Sequence, residues 1–196
     1  MSTQKSPFYT AMAVLFGIVV LAGGAAKLYR GVSNLSGSGL APKVGELLKK
    51  SDASVAQADQ QSTAIAPAFQ ELLADFDKLG LDAFRSEKRD SCEKLIEQFE
   101  AVSDHLHEAS KSLVDATKHG ADKNTNEFLV ARSRSYKLFV KANNQNIDIL
   151  RVTLDESIVD RNVLVEKILS LAQSRDADQQ AAKELAAESD AILKRS

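Results

Sequence analysis

Tryptophan is absent, and aromatic residues make up 6% of the 196 residues. Surfaces that stack bases or sugars need aromatic faces, so both ligand classes are disfavoured. Cysteine occurs once, at Cys92, so no intramolecular disulfide can form and no CxxC motif exists. Neither sign of charge dominates: 25 Lys and Arg against 27 Asp and Glu leave a net charge of −2. The charge is unevenly divided. The first thirty residues hold Lys5, Lys27 and Arg30 and no acid, hence +3, and the remaining 22 basic and 27 acidic residues give −5. An acidic body argues against nucleic acid as a partner, because phosphate binding wants a basic face. Proline stands only at Pro7, Pro42 and Pro67, and neither Pro nor Gly occurs from Ala121 to Ser196. Those two residues break helices, so this Ala-, Leu-, Glu- and Lys-rich stretch is expected to be helical. A glycine-rich phosphate loop, a Ser-His-Asp order and an EF-hand loop are also missing. We therefore expect a non-enzymatic chain with no catalytic, cofactor-binding or metal-binding residues.

What is present begins with a charge-free run from Phe8 to Ala26, FYTAMAVLFGIVVLAGGAA. As a helix it would cover about 29 Å, close to the hydrocarbon thickness of a bilayer. Two outcomes compete: a retained signal anchor, or a secretory signal peptide removed near the small residues Ala22–Ala26. The uncharged length and the flanking Tyr9 and Tyr29 favour the anchor. The expected organisation is a polar tail (1–7), a transmembrane signal anchor (8–29), a flexible Gly/Ser linker (30–41) and a helical domain (42–196). The membrane is thus an expected partner through residues 8–26. Flanking positive charge leans towards a cytoplasmic body, whereas the short tail and Gly/Ala-rich end lean towards export. The balance tips slightly to an extracytoplasmic body. The spacings Ala13-x-x-x-Gly17 and Ala22-x-x-x-Ala26 would also permit close helix packing in the membrane.

Behind the linker, apolar residues recur at alternating steps of three and four, a heptad pattern. A first helix is expected from Pro42 to Leu79, with the seam Val44, Leu48, Ser51, Val55, Ala58, Ser62, Ile65, Phe69, Leu72, Phe76, Leu79. Gly80 ends it, and Pro67 is expected to kink it. A second helix is expected from an Asp82 cap to Gly120, with the seam Cys92, Leu95, Phe99, Val102, Leu106, Ala109, Leu113, Ala116. A third starts near Asn124 with Glu127 as a capping box. It carries two stripes, Phe128/Ala131/Ser135/Leu138/Ala142/Gln145/Ile149/Val152 and Leu129/Tyr136/Val140/Ile147/Leu150/Leu154. Thr153 with Glu156 resembles another capping box, so residues 124–195 form two helices or one long one. Near-equal helices with short connections favour the break. The expected fold is all-α: a transmembrane helix followed by an elongated antiparallel bundle of four helices, or three without the break. The final stretch from Ser174 is thin in apolar residues and is expected to fray or pair with another chain.

Four groupings could carry chemistry. Asp104-x-x-His107 has the spacing of half a di-metal site, yet no second copy exists near His105 or His119. Cys92 sits on a core seam without a histidine nearby, which reads as a small buried hydrophobe. Asn143, Asn144, Gln145 and Asn146 form a polar layer, read as register-fixing or solvated, with a small-molecule site between helices as the alternative. The Ser-punctuated first half of the first helix leaves its seam incompletely filled, which implies self-association or a helical protein partner. The function expected is contact: a scaffold, adaptor or spacer.

Overall fold

The computed structural model describes residues 40–194. The expected tail, transmembrane segment and most of the linker lie outside the described residues. Within them the chain is all helical, and no helix is long and apolar enough to cross a membrane. Five helices form the bundle: α1 Pro42–Leu79, α2 Leu81–Glu87, α3 Arg89–Ala116, α4 Lys123–Leu154 and α5 Arg161–Leu193.

Helix α1 matches its expected bounds. Pro42 opens it, where the missing N–H has no intrahelical partner to lose. Gly80 closes it at φ 74°, a conformation that costs glycine nothing. The helix runs through Pro67, which faces solvent, while Ile65 and Phe69 on either side are buried. The proline therefore falls off the seam and leaves the phase intact. Of the α1 seam, Ser62 and Leu79 are half-buried and the rest is buried. Every seam residue of α3 from Cys92 to Ala116 is buried.

Four boundaries differ from expectation. The single helix expected from Asp82 to Gly120 is two, broken at Lys88 (φ −114°, ψ 7°). An unbroken heptad phase upstream of Cys92 would drive Lys88 into the core. The break rotates the chain instead, so that Phe84 enters the core edge-on to Phe76, with centroids 4.7 Å apart. Lys88 stays near the surface and pairs with Asp75 at 2.6 Å. Asp82 does not cap α2; it lies in the first turn, and Gly80 holds the cap position. The capping box at Asn124 and Glu127 does not form. Asp122 caps α4 instead, accepting from the Thr125 N–H at 2.9 Å and its hydroxyl at 2.6 Å, and these bonds lower its pKa.

The break between α4 and α5 is real, but the Thr153–Glu156 box is not its cause. Thr153 is buried inside α4 and donates back to the Ile149 carbonyl at 2.8 Å. Asp155 accepts from the Ser157 N–H and hydroxyl, and Asp160 then caps α5 by accepting from the Asn162 N–H at 2.7 Å. Nor does the last stretch fray. Helix α5 continues to Leu193, with Arg175, Gln179, Ala182, Ala186 and Ser189 buried.

The long helices alternate in direction, as their ties show. Lys50 meets Glu108 and Phe69 meets Phe99 across α1 and α3. Ser110 meets Ser133, and Arg151 meets Glu100, across α3 and α4. Gln145 meets Ser174, and Arg132 meets Asp190, across α4 and α5. Each tie advances one helix while retreating along the next. Backbones approach closely along α1 and α3, α3 and α4, and α4 and α5, and far more sparsely between α1 and α5.

Candidate functional site: a charged interior

Two buried stripes carry the site. On α4 they are Phe128, Arg132, Ser135, Phe139, Ala142, Asn146, Ile149 and Thr153, spaced four and three without a miss. On α5 they are Leu164, Ile168, Ala172, Arg175, Gln179, Ala182, Ala186 and Ser189. Arg132 and Arg175 occupy core positions in an otherwise regular seam, and both are 0% exposed. Burying a guanidinium is unfavourable unless it is paired and hydrogen-bonded.

Each arginine has its own solution. Arg132 forms an ion pair with Asp190 and lies over the Phe128 ring, 5.6 Å from its centroid. Arg175 holds the neighbouring Asp176 through Nε and Nη2 at 2.9 and 2.7 Å, and its Nη1 reaches Asn146 Oδ1 at 3.5 Å. Between the two arginines the Ser135 hydroxyl donates to the Ala182 carbonyl at 2.7 Å. A third buried arginine, Arg85 of α2, works at the other end of the molecule. Its Nε donates to the Thr153 carbonyl at 2.8 Å, and Nη1 and Nη2 donate to Ile158 at 3.2 and 3.1 Å. It thereby satisfies one carbonyl that α4 leaves open at its C-terminus and one in the connection to α5.

Helix α1 contributes carboxylates. Asp52 is half-buried, and burial pushes its carboxyl up to about 6 against the opposing pull of Arg132. Burial also raises Asp59. The Tyr136 phenol, enclosed on α4 within the field of Arg132, Asp52 and Asp190, is raised by burial above all. Ser51 Oγ, Asp52 Oδ1, Asp59 Oδ1, Tyr136 OH, Asn146 Nδ2 and Gln179 Nε2 are buried without a hydrogen-bond partner among the described residues.

The groupings singled out from the sequence fare differently. The Asn143–Asn146 layer does not converge. Asn143 donates to the Phe99 carbonyl and to Ser103 on α3, whereas Gln145 donates to Ser174 and Asp178 on α5. Asn144 is exposed and accepts from Ser103, and Asn146 faces Arg175. The layer thus ties α4 to both neighbours. His107 and His119 are exposed and His105 is half-buried. No group of three His, Cys, Asp or Glu among the described residues could hold a metal ion. Cys92 is fully enclosed, and burial, with Glu93 beside it, pushes its thiol up to about 11, so it stays a neutral thiol.

Arg85, Arg132, Asp52 and Arg175 were not singled out from the sequence, although a signal exists. The four-three spacing through Phe128, Arg132, Ser135 and Phe139 continues unbroken when Arg132 is counted as a core residue. In comparisons with known proteins, no family model, curated protein or solved structure matches the chain. The class is therefore set by geometry alone: a helical bundle with one apolar and one charged seam.

Proposed function

We propose that this chain is a single-pass membrane-anchored, non-enzymatic helical bundle that acts through protein-protein contact, as a scaffold, adaptor or spacer. The observation that carries the reading is the charge-free segment 8–26 directly ahead of a bundle built on long helices. The 38 residues of α1 alone extend about 57 Å, enough to hold a contact surface well clear of a bilayer. Side-chain bonds in the interior run from helix to helix, which suits a rigid spacer. We place the bundle outside the cytoplasm as part of this proposal, on the strength of the Gly/Ala-rich end of the segment.

The test is photo-crosslinking of the full chain in its membrane, with the crosslinker placed in turn at the exposed Val130, Val159 and Val163. A discrete adduct from one face, with a second copy or a single partner, is the expected result. No adduct from any face would contradict a contact function. Protease treatment of intact and opened cells, following a C-terminal tag, tests the side. Cleavage before the membrane is opened is expected; protection would place the bundle inside.

A second reading is favoured by the unpartnered polar atoms on α1, α4 and α5: a bundle that binds a small polar molecule between helices. It requires a thermal shift with some member of a metabolite library, and a flat response across the library would count against it.

A further inference from the structure

Two carboxylates compete for one buried guanidinium. Asp190 of α5 takes the ion pair with Arg132 of α4, and the Asp190 side chain is 39% exposed. Asp52 of α1 is held in the field of the same guanidinium, with Oδ1 buried and without a partner. Tyr136, one turn beyond Arg132 on α4, adds an enclosed hydroxyl, also without a partner, within the field of Asp52. Lys50 of α1 pairs with Glu108 of α3, which also meets Lys111, while Lys49 of α1 and Asp104 and His105 of α3 are the other charged or titratable groups on these stretches. Asp59, two turns along α1, is a second carboxylate disfavoured by burial. Close backbone approach between α1 and α5 is sparse, so α1 is held chiefly through its packing on α3.

We propose that Asp52 is a proton-controlled latch that sets how firmly the first half of α1 sits on α4 and α5. This goes beyond the contact function proposed above and stands independently of it. Ionised, Asp52 is a partly desolvated charge whose counter-ion is already engaged, and a small outward swing of α1 returns it to water. Protonated, it loses that penalty and gains a hydroxyl that can donate within the same enclosure. Burial places the change near pH 6. Acidification therefore seats α1, and neutral pH loosens it. The movable half is also the part that follows the expected tether.

Hydrogen exchange of the full chain tests this, read as protection of residues 44–62 relative to residues 95–113 and corrected for intrinsic exchange at each pH. The ratio is expected to rise roughly threefold to tenfold from pH 7.5 to pH 5.0. Asp52→Asn, which keeps the side-chain shape, is expected to be protected at both pH values. Asp190→Asn is expected to move the midpoint to lower pH, because Asp190 then no longer offsets the pull of Arg132 on Asp52. A wild-type ratio that ignores pH would overturn the latch, as would an Asp52→Asn variant that keeps the wild-type response. An unmoved midpoint in Asp190→Asn would overturn the sharing of Arg132.

Discussion

The joint between α1 and α3 and the joint between α4 and α5 use the same spacing, but only the second sets buried arginines among its apolar residues. Across the first, Val55, Ile65, Phe69 and Leu72 lie on one helix and Leu95, Phe99, Val102 and Leu106 on the other, all buried. Across the second, Arg132, Ser135 and Asn146 face Arg175, Gln179 and Ser189 at equivalent depth. Apolar burial is non-directional and scales with area, so the first joint supplies stability and tolerates small slips. Buried polar groups must find particular partners, so the second supplies less net stability and a fixed register. A bundle of long helices with a uniform apolar core could slide by a heptad. Here the Arg132–Asp190 pair and the Ser135–Ala182 bond define one alignment of α4 and α5.

The largest expected effect falls on the apolar joint. Phe99→Ala removes a buried ring that meets Phe69 edge-on at 6.5 Å. It should lower unfolding stability by about 3–5 kcal/mol in denaturant titration. Arg132→Leu should cost roughly 3 kcal/mol, since Asp190 and Asp52 lose their shared cation. The paired variant Arg132→Met with Asp190→Leu sharpens the contrast. It should regain most of that stability while the amide spectrum broadens, as register loosens. Full stability with a sharp, unchanged spectrum would contradict a register role.

Smaller effects test the boundaries. Asp122→Ala should cost ~1 kcal/mol by removing the cap of α4. Thermal unfolding of the variant beside the wild type checks this. The smallest effect is Asp52→Asn. The folded state holds Asp52 near 6 rather than the usual 3.8, so it binds more protons than the unfolded chain between those values. Stability therefore falls as pH rises through that window. Because Asp52 is only half-buried, Asp52→Asn should gain no more than ~1 kcal/mol at pH 7.5, after allowance for solvent screening. The gain should vanish below pH 3.8.

The apolar joint was legible in the sequence nearly residue by residue. Unbroken three-four spacing in α1 and α3 leaves a single face to bury, and Gly80 marks the stop. The polar joint was not legible, because Arg132 and Arg175 read as solvated until their partners on another helix are known. Lys88 was missed for a related reason: helix propensity is continuous there, and tertiary packing of Phe84 makes the break. The α4 cap was misplaced because Asp122, Asn124 and Thr125 all suit a helix start, and only bonding geometry separates them. Residues 8–26, the strongest single signal in the sequence, lie outside the described residues.

The central claim is a bundle held at a membrane, and flotation of the full chain on a density gradient after alkaline extraction tests it directly. The account predicts that the full-length chain floats with lipid and that removing residues 8–26 leaves it at the bottom. A chain recovered in the soluble fraction, whole or shortened by loss of that segment, would contradict the anchor and leave a free bundle in its place.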